Sequence, residues 1–132
     1  MIDLMKRVTG IGGIFFKAEN CKALAEWYER HLGIKPDAHG VVIFRWREGQ
    51  TDERPGSTVW AVFGRETTYF EPSKKDFMLN YRVDDLDAQL AELAKEGVTI
   101  DPRREDSEFG RFAWIMDPEG NRIELWEPPA GA

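Results

Sequence analysis

A single cysteine, Cys21, in 132 residues leaves no internal disulfide and no thiolate metal cluster. Histidine is nearly as scarce, with only His31 and His39. No apolar run approaches the roughly 18–20 residues that span a bilayer, and the N-terminus lacks a signal peptide's apolar segment. These absences point to a soluble, cytoplasmic protein. Positive charge is in deficit, the formal net charge being −6. Lys74-Lys75 and Arg103-Arg104 are too short to form the basic patch that neutralises a phosphate backbone, so nucleic acid is excluded as a partner. Aromatics are abundant instead. Eight Phe, five Trp and three Tyr exceed what the core of one small domain uses, leaving some to line a pocket. The length fits a single domain over residues 1–132.

The most informative stretch is the last. Phe112 to Met116 and Arg122 to Trp126 are rich in aromatic and β-branched residues. Asp117-Pro118-Glu119-Gly120-Asn121 joins them with the residues of a turn, which predicts a β-hairpin ended by Pro128-Pro129. Alternation along the second strand puts Ile123 and Leu125 on one face and Arg122, Glu124 and Trp126 on the other. Glu124 then has two readings. It is a solvated carboxylate on an open face, paired with Arg122 or Arg111, or a ligand-facing acid inside a concave sheet walled by tryptophan.

Upstream, Met1 to Gly10 reads as a partly ordered leader and Gly12 to Ala18 as a short apolar strand. Asn20 has the chemistry of an N-cap. Cys21, Leu24, Ala25, Tyr28 and Leu32 recur at helical spacing up to Gly33, which predicts a helix over Cys21–Leu32 with His31 in its last turn. Val41 to Arg47 alternates as a strand, Glu48 to Gly56 reads as a polar hairpin loop, and Ser57 to Phe63 as a third strand. His39 falls in the loop before these strands, and Gly64 to Lys75 reads as a linker.

The second half follows the same order. Asp76 to Val83 is strand-like, Asp84-Asp85 caps a helix striped by Leu86, Leu90, Leu93 and Ala94, and Gly97 ends it. Val98 to Arg103 is a short strand interrupted by Pro102, and the closing hairpin follows. Asn20 maps onto Asp84 or Asp85 and Gly33 onto Gly97, so the two halves, about 11–64 and 76–128, repeat one β-α-β-β-β unit. The expected fold class is α+β: two tandem modules forming an open, cup-shaped mixed sheet with both helices on the outer face. Ile123 and Leu125 would meet the helices, and Glu124 would face the cup.

These residues resemble the vicinal oxygen chelate superfamily, which includes glyoxalase I, bleomycin-resistance proteins and extradiol dioxygenases, and within it the stand-alone glyoxalase-like proteins. The resemblance rests on Trp27-Tyr28 with Leu32-Gly33-Ile34, on Tyr81 to Asp87, and above all on Asp117 to Trp126. In metal-dependent members of that superfamily a divalent ion is held in the cup by residues of both modules and a final-strand Glu. By resemblance those positions fall on Gly13, Met78 and Glu124. Glycine has no donor atom, and a thioether is a poor ligand for a hard or borderline ion. The resemblance also implies a homodimer.

Two functions of different class follow. One is a binder of a small organic molecule without the full metal site and without a cofactor. Its cup would be walled by Phe16, Phe44, Trp46, Trp60, Trp114 and Trp126, with Arg122 facing the ligand or neutralising Glu124. Each of these aromatics has an alternative role as core filler. The other is a divalent-metal-dependent lyase, isomerase or dioxygenase, in which Glu124 is the catalytic residue as retained ligand or general base.

Overall fold

Asn20 and Asp85 start the two helices by the same local chemistry. Each side chain accepts the N–H three residues on, from Ala23 at 3.0 Å and from Ala88 at 3.1 Å, removing one orphan donor of the first turn. Gly33 and Gly97 follow the helices with φ of 70° and 78°, a conformation that costs glycine little. The computed structural model describes residues 8–47 and 55–132, so the readings of Met1–Arg7 and Glu48–Arg54 lie outside the described residues. The elements are β1 (Gly10–Ala18), α1 (Cys21–Leu32), β2 (Val41–Arg47), β3 (Pro55–Gly64), β4 (Phe77–Arg82), α2 (Leu86–Lys95), β5 (Thr99–Ser107), β6 (Gly110–Met116) and β7 (Arg122–Glu127).

The strands form one mixed sheet in the order β2-β3-β1-β4-β7-β6-β5. Within the first half β1 pairs parallel with β3, within the second β4 pairs parallel with β7, and β1 and β4 join the halves antiparallel. The α+β architecture of two modules is therefore the one that forms. The first module has one strand fewer among the described residues. After α2 the chain enters β5, but after α1 it turns, and the Asp37 carboxylate takes the N–H groups of His39 at 2.8 Å and Val41 at 3.1 Å.

The sheet is strongly curled. Strands β2 and β6 are five places apart, which in a flat sheet would separate them by ~24 Å. Yet Val41 of β2 and Phe112 and Trp114 of β6 pack on one cluster with Phe15, Ala61, Phe70 and Met78. Two further clusters sit on the outer face. Leu24 and Tyr28 of α1 cover Ala18, Trp60 and Val62. Leu86, Leu90 and Leu93 of α2 cover Leu125 and Ile123, as the alternation in the last strand predicts. Leu32, expected on the α1 stripe, is exposed at the helix end.

β1 begins at Gly10 and β3 at Pro55, each two residues earlier than expected, so Pro55 and Gly56 belong to the strand and not to the loop. Two further differences have local reasons. β5 continues past Pro102 to Ser107 because the β5–β6 ladder shifts register between Ile100 and Arg104, and such a bulge on an edge strand accommodates a residue without an N–H. The linker Gly64–Lys75 is also more than a connection. Its Phe70 is wholly buried on the inner face of the sheet, with Tyr69 beside it.

Phe70→Ala is expected to cost about 3–5 kcal/mol by cavity formation. Phe109→Ala, at a side chain 68% exposed, should cost under ~1 kcal/mol. Urea unfolding followed by tryptophan fluorescence distinguishes the two, and equal costs would contradict the inward plug.

Candidate functional site

Alternation along β7 sends Glu124 to the inner face, where it is 2% exposed. A carboxylate in that position must be hydrogen-bonded or neutral. Three segments answer it. The Asn80 Nδ2 of β4 donates to Oε1 at 2.6 Å, the Trp114 Nε1 of β6 to Oε2 at 2.9 Å, and the Tyr69 hydroxyl of the linker also to Oε2. Burial pushes the Glu124 carboxyl above the ordinary range, while the three donors pull it down. Burial likewise raises Tyr69, with the Glu124 charge adding to it, so the phenol keeps its proton and remains a donor.

Glu124 looks into a cavity of about 480 Å³. Phe15, Val59, Ala61 and Phe63 form one apolar wall, and Phe112 and Trp126 form the opposite one, their rings stacked at 6.1 Å. Tyr69 stacks on Phe63 at 5.6 Å. Gly12 and Asn80 line the end near Glu124. A Cβ at Gly12 would overlap Asn80 Oδ1 and stand 2.9 Å from Trp126 Cε3, so only glycine fits there.

Of the expected site residues, Glu124 and Trp126 line this cavity. Trp114 supports Glu124 from beneath. Arg122 lies elsewhere, 4% exposed, beside a second space bordered by Tyr69, Trp114, Arg103, Arg104 and Glu105. Its guanidinium stands 4.8 Å over the Trp114 ring, donates to the Tyr69 backbone oxygen and approaches Asp101 at 3.4 Å. Burial, then the neighbouring Arg103, lowers its pKa.

The other four aromatics are corrected in position. Phe16 and Trp60 pack edge to face at 5.3 Å on the outer face under Tyr28 of α1, because of the neighbours Phe15 and Phe16 only Phe15 can point inward. Phe44 is exposed on the outer side of β2, whose inward residues are Val41, Ile43 and Arg45. Trp46 shares the outward parity of Phe44; it bonds Thr58 Oγ1 at 2.8 Å and has the Arg82 guanidinium 5.4 Å from its ring.

Sequence reasoning missed Asn80, Tyr69, Phe15 and Phe63. Asn80 carried a signal, since it shares its face with Met78 on β4. The sheet register makes it the lateral neighbour of Glu124 on one side and Gly13 on the other. Met78, named from the resemblance, instead pairs with Phe15 and is buried in the core. Tyr69 carried no signal, because a linker has no periodicity.

The donors present do not compose a divalent-ion site. Gly13 and Met78 offer no suitable atom, Asn80 turns its amide nitrogen to Glu124, and both Glu124 oxygens already accept hydrogen bonds. No group of three His, Cys, Asp or Glu residues able to hold a metal occurs among the described residues.

An open curled sheet, with helices outside and a buried acid within, defines a cup-shaped domain around a cavity. The glyoxalase-like domain family matches residues 13–126, and the chain belongs to that family, within the vicinal oxygen chelate superfamily. Among solved structures, methylmalonyl-CoA epimerase from Mycobacterium tuberculosis superposes with a TM-score of 0.59 at 21% identity, over 98% of this chain and 93% of that one. A variant of the Streptomyces coelicolor methylmalonyl-CoA epimerase, in complex with 2-nitronate-propionyl-CoA, gives 0.67 at 16% identity over 95% and 99%. A Legionella pneumophila structure described as NAD-dependent benzaldehyde dehydrogenase gives 0.58 at 16% over 89% and 98%. At such identities the likeness is one of fold. No curated protein matches the chain.

The raised Glu124 pKa has a definite sign in stability. A carboxyl whose folded pKa exceeds its unfolded value contributes stability below the unfolded pKa and loses it as pH rises through the folded one. Thermal unfolding of the wild type and Glu124→Gln is therefore expected to show the wild type losing ground to the variant as pH rises above the ordinary carboxylate range. A pH-independent difference would mean that the three donors cancel the effect of burial.

Proposed function

We propose that this protein binds a small, mainly apolar organic molecule in the 480 Å³ cavity, with the ligand's polar end at Glu124 and without a divalent ion. The observation that carries this reading is the contrast within the cup. Its walls are aromatic and aliphatic, and its one buried acid is already held by Tyr69, Asn80 and Trp114. Such a cavity, apolar with a few placed polar groups, has the construction of small-molecule sites.

The internal repeat supports the same reading. Phe15 pairs with Ala61 in the first module as Asn80 pairs with Glu124 in the second. One half of the cup therefore supplies apolar surface where the other supplies an amide and an acid. A ligand with one polar end and one apolar body satisfies both halves. The Glu124 carboxyl is held in place for orientation, which makes binding rather than metal-assisted chemistry the function this geometry supports best.

A cytoplasmic setting accords with the single half-buried cysteine. A homodimer is supported by apolar surface on the outer side, where Ile11, Ile14, Phe44 and Phe77 are exposed.

Protein purified without tag or chelator is expected to hold well under one equivalent of Zn, Mn, Fe, Co or Ni by plasma mass spectrometry. Incubation with these ions should leave the melting temperature of wild type and Glu124→Gln equally unaffected. A near-stoichiometric metal that the variant loses would overturn the metal-free reading.

A further inference from the structure

The cavity's polar end is unusual in what it leaves open. The three donors around Glu124, the Tyr69 hydroxyl, the Asn80 amide N–H and the Trp114 indole N–H, are all turned on it. Beside them Asn80 Oδ1 is a buried acceptor with no hydrogen-bond partner. It sits against Gly12, at the cavity's lining, where any side chain would overlap it. A buried acceptor left unmatched is destabilising, and a ligand that donates to it recovers the loss.

The electrostatics point the same way. Among the described residues, the charged or acidic side chains lining the cavity are Glu124, Glu108, Arg45 and the protonated Tyr69. Glu108 and Arg45 are exposed, so water and salt screen them. Arg82 is tied to the Ser57 and Ala132 backbone oxygens and to Ser57 Oγ. Arg122, also buried, stands over the Trp114 ring, outside the cavity. Glu124 is thus the buried charged group in the cavity lining among the described residues. Around it stand the rings of Phe15, Phe63, Tyr69, Phe112 and Trp126, whose π faces attract cations.

Resting on the binding function proposed above, we infer that the cup selects an organic ammonium, its N–H donors directed at Asn80 Oδ1 and Glu124 and its apolar body against the aromatic walls. A carboxylate at the same place would stand against the Glu124 carboxyl and the Asn80 Oδ1 acceptor. The anionic CoA ester held by the epimerase of similar fold is thus the opposite of what this cup's chemistry receives.

Titration calorimetry on the full chain at neutral pH, with phenethylammonium, phenethyl alcohol and phenylacetate as probes, tests this. The ammonium is expected to bind about tenfold tighter than the alcohol, which has the same shape but no charge. Phenylacetate should show no binding, and Glu124→Gln should remove the ammonium's advantage over the alcohol. Alcohol binding equal to the ammonium, or tighter phenylacetate, would overturn the cation preference and leave the cup as a binding site. Failure of all three probes would overturn both. The wild-type comparison decides the matter even if the variant does not fold, and an advantage that persists in a folded Glu124→Gln would overturn the role given to Glu124.

Discussion

A carboxylate buried to 2% exposure is the constraint around which the inner face is arranged. An uncompensated charge there would cost several kcal/mol or force protonation. The chain meets it with donors from three segments distant in sequence: Tyr69 of the linker, Asn80 of β4 and Trp114 of β6. These hydrogen bonds also fix geometry. Tyr69 reaches Glu124 only if the linker folds inward, and that inward path seats Phe70 beside Phe15 and Met78. The polar contact and the core plug are thus one arrangement.

The two modules use one backbone plan for different chemistry. N-caps, glycine turns and parallel strand pairs recur between the halves. The lateral pairs on the inner face do not: Phe15–Ala61 is apolar and Asn80–Glu124 is polar. A symmetric cup would have offered either a greasy hollow or a costly cluster of buried polar groups. Divergence of the repeats gives a cavity with direction, apolar at one side and acidic at the other.

The edges of the sheet show a comparable division. β5 carries Arg103, Arg104, Glu105 and Asp106 in succession, and its bulge at Pro102 interrupts the regular ladder, features that discourage further strands from adding there. Arg104 and Arg111 both reach Asp87 of α2, tying that edge to the helix above it. Glu127 accepts the Leu86 N–H at 2.9 Å and anchors the start of α2 to the last strand. The second module is thereby closed on itself, while both modules line the cavity.

Local chemistry was legible in the sequence. The caps Asn20 and Asp85, the helix Cys21–Leu32, the Asp117–Asn121 turn and the facing of Ile123, Leu125 and Glu124 all follow from short-range rules. In that turn the Asp117 carboxylate takes the Glu119 and Asn121 N–H groups at 2.9 Å. Placement of the aromatics was not legible, because β1 and β2 carry apolar residues on both faces and alternation then gives no sign of which is inner. The bulge between Ile11 and Gly13, visible only in the pairing of β1 with β4, helps set that parity. Tyr69 could not be read at all, since its role depends on the path of a linker. The sequence by itself determined two helix-covered modules and an inward acid, since periodicity and capping act over a few residues. Only the tertiary structure decided which aromatics line the cup and which donors hold the acid, since both depend on strand register and on contacts between segments far apart in the chain.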